Sequence, residues 1–334
     1  MSYIINEIEN FRDDFIDGFI RAYPQMVERI PGAAGVRAKV SGREEGKVAV
    51  LIGGGSGHYP AFAGLVGQGI ATGAVIGEVF TSPSSEQIFR CAKAIEAGVG
   101  VIFSYGNYGG DVMNFDIAAF RLSQEGIRVG TVLVTDDVAS APYDRKNERR
   151  GIAGDFCVFK ILGGASDANY SLDDVAEIGK RANERTMTLG IAFDGCTLPG
   201  SKQPLFSVPR GRLELGLGIH GEPGMRTVET VSAKSMASML LDPLIAERPN
   251  DDGDVVVIVN GLGSTTYEEL FVLFSSVSQE LERLNITVHH CEVGELVTSL
   301  DMAGCSLTLF WLDDDLRELY DTYSMAPAYR RLSK

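Results

Sequence analysis

Four short apolar runs rich in β-branched residues each end in a glycine or polar loop: VAVLI before GGGSGH, VGVIF before SYGNYGGD, GTVLV before TDD, and VVVIV before NGLGST. Runs that are apolar throughout, without alternation, suit strands buried on both faces. Longer helix-like segments separate them. One is SEQIFRCAKAIEAG. Another is TTYEELFVLFSSVSQELERLN, where Thr266 and Glu269 have capping-box spacing and Leu270, Leu273, Val277, Leu281 and Leu284 share one face. Strands alternating with helices build a largely parallel sheet, and such a sheet binds ligands outside the carboxyl ends of its strands. The expected fold class is α/β, with two α/β domains carrying largely parallel sheets.

A length of 334 residues accommodates two domains. The Pro/Gly-rich stretch CTLPGSKQPLFSVPRGR, 196–212, interrupts the alternation and reads as the region joining them. The expected boundaries are 1–195, with the GGGSGH and NYGGD loops, and 196–334, with the IHGEPG loop. VLIGGGSG and GEVFTS in the first half are echoed by VIVNGLGS and GELVTS in the second. Either chance or a shared strand–loop–helix plan accounts for that echo.

The net charge of −15 disfavours a nucleic-acid partner, because phosphate backbones need a basic face. Early acidic residues in MSYIINEIENFRDDFIDGF argue against a signal peptide, and no apolar run reaches membrane-spanning length. The five cysteines are dispersed and form no CxxC, as expected of reduced thiols in a cytoplasmic protein.

Three loops carry candidate chemistry. GGGSGHYPAFAG, 53–64, has neither dinucleotide-fingerprint nor Walker spacing. It offers close-approaching backbone followed by His58, which is either a ligand-binding ring or a solvated turn residue; Pro60 suits the first turn of a helix. GNYGGDVMNFD, 106–116, places Asp111 before a helix-like segment, as an N-cap or as a general base on a substrate hydroxyl. In RLELGLGIHGEPG, Leu213, Leu215, Leu217 and Ile219 alternate with polar or small residues, so His220 is expected where a strand ends. His289 and His290 read as structural or edge-strand residues, and the histidines lack the ligand spacing of a zinc site.

Six stretches, GGGSGHYPAFAGLVGQG, GEVFTSP, NYGGDVMNFD, RRGIAGD, GLGIHGEPG and TSLDMAGCSLTL, stand in order through most of the chain. Together they resemble the K subunit of dihydroxyacetone kinase, and the length fits a lone K subunit. The resemblance implies two α/β domains of the K-domain type in a homodimer. It implies that His220 binds the carbonyl carbon of a small ketose as a hemiaminal. Asp111 then acts as base on the hydroxyl to be phosphorylated, His58 hydrogen-bonds the substrate, and Gly55 and Ser82 contact it. No cofactor is expected on this chain. ATP or ADP with magnesium is expected on a separate L-type nucleotide-binding subunit, working with ATP directly or with a phosphotransferase system.

Two positions depart from the family pattern. Tyr59 stands where the family has Glu in GHEP, and Gly106 stands where it has lysine. Loss of that cation opens volume for a longer ketose such as a four-carbon erythrulose-like sugar, or weakens turnover. Covalent capture suits so small a substrate: non-covalent binding of a triose is capped at roughly −9 kcal/mol, and an adding imidazole rejects glycerol outright. Within YDRKNERRGIAGD, 143–155, Arg149 and Arg150 are expected either in a solvated loop or in a docking patch for the anionic partner. The alternative to a kinase subunit is a non-catalytic ketose sensor serving a transcription regulator. Retention of His58, Asp111 and His220 together argues against it, because a pure sensor needs no base.

Overall fold

The computed structural model describes residues 3–39, 46–250 and 253–332, so the first two residues of the stretch read above for a signal lie outside it. In chain order the strands of the two main sheets are β1 Val27–Arg29, β2 Gly35–Ala38, β3 Ala49–Ser56, β4 Gly73–Val79, β5 Val101–Gly106, β6 Val129–Val134, β7 Thr186–Asp194, β8 Arg212–Leu215, β9 Arg226–Glu229, β10 Val255–Gly261, β11 Val288–Gly294 and β12 Ala303–Trp311. The helices are α1 Phe11–Ala22, α2 Ser85–Ile95, α3 Gly109–Gln124, α4 Asp155–Asp167, α5 Leu172–Glu184, α6 Ala233–Ala246, α7 Tyr267–Arg283 and α8 Asp314–Tyr320. All four apolar runs singled out in the sequence are strands.

Two compact units emerge, and they interleave along the chain. One comprises Ile4–Val134, Phe156–Ala182 and the segment from Leu316 on; the other holds Tyr3, Thr135–Asp155 and Asn183–Asp315. This differs from contiguous halves meeting at residue 195. The reason lies in strand pairing: β7 pairs with β12 along its length, so the chain has entered the second unit before residue 196. The 196–212 stretch is therefore no linker. Up to Gly211 it is a loop inside the second unit between β7 and β8, pinned by the Leu205 amide donating to the Cys196 carbonyl at 2.8 Å.

The first unit carries a sheet in the order β1-β2-β4-β3-β5-β6. Its centre is parallel, β4 with β3, β3 with β5 and β5 with β6, while β1 and β2 add antiparallel edges. Leu51, Val75 and Phe103 of the sheet pack with Ile88 of α2 and Phe115 and Leu122 of α3. Each such side chain contributes about 1.5–3 kcal/mol on burial. Helix α4 is apolar around most of its circumference and buried from Phe156 to Ala165, as that pattern requires.

The second unit carries the order β11-β10-β12-β7-β8-β9. Here parallel pairing is confined to β10–β11, and the other four pairs are antiparallel. The expectation of largely parallel strands thus describes the first sheet better than the second. Helix α7 gives β10–β11 a full crossover, whereas β12 follows β11 through a short helix-free loop and must run back. Leu189, Ile191, Val257, Leu307 and Leu309 pack against Leu240 of α6 and Leu270 and Val277 of α7. At the start of α7, Glu269 Oε2 accepts from the Thr266 amide at 3.0 Å and from Thr266 Oγ1 at 2.8 Å. Leu270, Leu273, Val277 and Leu281 are buried as their spacing predicts, but Leu284 lies just past the helix and is 36% exposed. His289 and His290 sit on the edge strand β11. Both echoing segments form parallel pairs, β3 with β4 and β10 with β11.

No helix among the described residues is long and apolar enough to cross a membrane. All five cysteines are free thiols, with Cys291 exposed and the others buried.

Candidate active site

In the first unit, the ends of β3, β4 and β5 gather five of the residues singled out above. Gly55 lies near the end of β3, in register with Gly77 of β4. The loop after β4 folds back over it: a Cβ on Gly55 would stand 2.7 Å from the Thr81 nitrogen and 3.0 Å from Phe80. Only glycine admits that approach. Phe80 turns the chain with φ of 53°, a conformation disfavoured for a bulky residue. Its ring stacks on His58 with centroids 5.0 Å apart and planes within 17°. His58 is 2% exposed, so it is a buried ring in the loop after β3 and not a solvated turn residue. Pro60 opens no α-helix; a short 3₁₀ turn, Ala63–Leu65, follows.

Ser82 continues the same loop, and its Oγ accepts from Asn114 Nδ2 of α3 at 3.2 Å. A Cβ on Gly110 would lie 3.5 Å from that of Ser82. The first turn of α3 therefore abuts the β4 loop. Tyr108 is the N-cap of α3, which places Asp111 within the first turn and excludes its N-cap reading. A carboxylate there lies in the favourable field of the helix N-terminus. Burial, with Asp116 and Asp111 nearby, holds the Tyr105 hydroxyl well above the ordinary phenol range. Gly106 is the last residue of β5 and is buried.

His220 and its surroundings belong to the second unit. The strand alternation of RLELGLGI stops early: β8 ends at Leu215 because Gly216 takes φ of 80°. His220 then sits in a turn closed by the Gly221 amide donating to the Gly218 carbonyl at 3.1 Å. Ser299 Oγ donates to the Ile219 carbonyl at 2.5 Å. His220 Nδ1 meets Glu222 Oε1 at 3.0 Å, and the His220 amide donates to Glu222 Oε2 at 3.0 Å. Burial alone would push the Glu222 carboxyl up, but the His220 ring and the amides of Glu222 and His220 outweigh it and hold it down at about 2.

Glu222 was not singled out in the sequence. The signal was the H-x-E spacing inside the IHGEPG turn, where an i,i+2 carboxylate can fold back on the ring. Arg149 and Arg150 correct a sequence expectation: neither is a surface cation available for docking. Arg149 is 3% exposed, forks onto Glu247 at 2.6 and 2.7 Å, and donates to the Ala141 carbonyl. Arg150 pairs with Asp137 at 2.7 Å and stands 3.9 Å from Glu222. Both guanidiniums serve the interior of the second unit. Among the described residues, no group of three or more His, Cys, Asp or Glu side chains could hold a metal ion.

The family model described as the Dak1 domain matches residues 17–328. The chain belongs to the Dak1 domain family. Among curated relatives, this Dak1 chain is 48% identical to the L-erythrulose kinase of Pectobacterium atrosepticum and 49% identical to the D-erythrulose kinase of Mycolicibacterium smegmatis. It spans 56% and 57% of their lengths while 99% of its own is covered. It is 37% identical to the dihydroxyacetone-binding subunit of PTS-dependent dihydroxyacetone kinase 2 of Listeria innocua, covering 99% of both chains. Among solved structures, the dihydroxyacetone kinase of C. freundii in complex with AMP-PNP and Mg2+ superposes with a TM-score of 0.91 at 31% identity, covering 99% of this chain and 61% of that one. The dihydroxyacetone kinase operon co-activator Dha-DhaQ superposes with a TM-score of 0.90 at 31% identity over 98% and 99% of the two chains.

Proposed function

We propose that this Dak1 chain is the ketose-binding component of a small-ketose kinase, acting in the cytoplasm as a homodimer with an L-type nucleotide-binding partner. The observation that carries the reading is the pairing of His220 with an ionised Glu222. An ionised carboxylate only accepts hydrogen bonds, so the imidazole hydrogen lies on Nδ1 and Nε2 keeps its lone pair. That lone pair adds to the ketose carbonyl carbon while the carbonyl π pair moves onto oxygen. The ring gains positive charge, which Glu222 stabilises. Loss of the Nδ1 proton and protonation of the oxygen complete a neutral hemiaminal. A polyol has no carbonyl to accept the addition.

Capture fixes the terminal hydroxyl, and positioning of this kind is worth up to about 7–11 kcal/mol of barrier. Asp111 takes the hydroxyl proton during phosphoryl transfer. His58, held flat against Phe80, hydrogen-bonds the captured sugar, with contacts from the Gly55 backbone and Ser82. The partner supplies the nucleotide and magnesium, and with them the phosphoryl group. A tetrulose is the favoured substrate. Gly106 in place of the family lysine leaves room for a fourth carbon, and relatives of nearly half identity are named erythrulose kinases.

A second reading, a ketose-binding co-activator, is favoured by the likeness to Dha-DhaQ. The deciding experiment supplies an L-type partner with ATP, or a phosphotransferase donor, and offers L-erythrulose, D-erythrulose, dihydroxyacetone and glycerol. The kinase reading predicts turnover of ketoses, fastest with a tetrulose, and none of glycerol. Ketose binding without turnover across several compatible partners supports the co-activator.

A further inference from the structure

We propose that Arg150 and Asp137 are positioning residues for His220, holding Glu222 so that its carboxylate fixes the imidazole tautomer. The inference deepens the reading of His220 given above and rests on it for its meaning, but its first readout needs no substrate.

Asp137 is 1% exposed and follows Asp136, which is fully buried. Adjacent buried carboxylates are costly unless each is paired. Asp136 accepts the Ile152 and Gly154 amides at 2.8 and 2.7 Å, which folds the loop after β6 back on itself. Asp137 Oδ2 instead takes Arg150 Nη2 at 2.7 Å and Nε at 2.9 Å, while its Oδ1 takes the Ala139 amide. The guanidinium so anchored also donates to the Gly216 carbonyl at 3.3 Å, at the end of β8, and its Nη1 lies 3.9 Å from Glu222 Oε2.

Gly218 records how tightly these groups meet. A Cβ there would lie 2.2 Å from Glu222 Oε2 and 2.7 Å from Arg150 Nη1. The turn bearing His220 therefore lies directly against the carboxylate and the guanidinium. Glu222 is set from both ends: Oε1 holds Nδ1, and Oε2 faces Arg150 and the His220 amide. With Oε2 taken by the His220 amide and faced by the Arg150 guanidinium, the acceptor-only carboxylate presents Oε1 to the ring, so the ring proton stays on Nδ1 and the lone pair stays on Nε2.

The test is nitrogen-15 NMR of histidine-labelled protein, in which the ring-nitrogen shifts report the tautomer of each of the four imidazoles. The His220 signal is assigned by its loss in His220→Gln. In the wild type, His220 is expected as the Nδ1–H form. Arg150→Lys keeps the charge but loses the fork. It should lower the ratio of Nδ1–H to Nε2–H by about tenfold, the size of losing one charge-assisted contact, and weaken ketose binding similarly. The rate per bound ketose should change little. Asp137→Asn should shift both readouts in the same direction and serves if Arg150→Lys does not fold. An unchanged His220 tautomer in a folded variant overturns the proposal. A shifted tautomer in Arg150→Lys, together with a wild type that captures no ketose, upholds the positioning role and overturns the nucleophile reading instead.

Discussion

Glu222 holds His220 twice, through Nδ1 at 3.0 Å and through the backbone amide at 3.0 Å. One carboxylate thus sets both the direction of the ring and the turn that carries it. Glu222→Gln should keep the shape and lose the charge, weakening ketose capture by about tenfold, and Glu222→Ala should weaken it further. The carboxyl is held at about 2, below its ordinary value of 4.5, so its stabilising contribution is present in full above pH 4.5 and is lost as pH falls towards 2. The gap in urea midpoint between wild type and Glu222→Gln should therefore close across that interval.

Asp111 stands in the first turn of α3, beside the Ser82 loop and not at the N-cap. As a general base it should act on the transfer step alone. Asp111→Asn should cut the phosphorylation rate by roughly 10²–10⁴-fold while leaving ketose affinity within a small factor. Equal losses in rate and binding would give it a binding role instead.

Gly106 closes β5, at the position where the resemblance implies a lysine. Gly106→Lys should refill that volume and lower kcat/KM for erythrulose relative to dihydroxyacetone by about tenfold, the order expected when a pocket loses room for one carbon. Parallel kinetics on the two sugars measure it.

Lys160 is fully buried in α4, with Nζ donating to the Leu319 carbonyl at 3.1 Å and to Thr322 Oγ1 at 2.8 Å. Burial, then the Arg331 charge, pull its amine down to about 7 against the opposing pull of Asp167 and Asp321. Between pH 7 and the ordinary lysine value of 10.5 the unfolded chain binds the extra proton, so stability should rise with pH across that window. Lys160→Met should lack this rise. Denaturation midpoints of the two proteins at several pH values give the comparison.

Much of this was legible in the sequence, for identifiable reasons. Val50–Ile52 and Val255–Val259 are apolar without alternation, and that pattern has few outcomes besides a buried strand. Thr266 and Glu269 announced the start of α7 because capping is local. What failed depended on long-range pairing. The stretch from Cys196 to Arg212 has the composition of a linker, and only the β7–β12 pairing shows that the chain was already committed to the second sheet. Leu217 and Ile219 kept a strand period past the point where Gly216 ended the strand. The charges of Arg149 and Arg150 were visible, but the carboxylates they pair with, the partly buried Glu247 and the buried Asp137, lie elsewhere in the chain. Glu222 is two residues from His220, yet its role required the turn that folds it back.

The central claim concerns a bond, and carbon-13 NMR of ketose labelled at the carbonyl carbon observes that bond directly. With wild-type protein, the carbonyl resonance should give way to that of a tetrahedral carbon coupled to the His220 Nε2 in nitrogen-15-labelled protein, and His220→Ala should abolish it. A bound ketose whose labelled carbon remains a carbonyl or simple hydrate, with unchanged affinity in His220→Ala, would contradict the account.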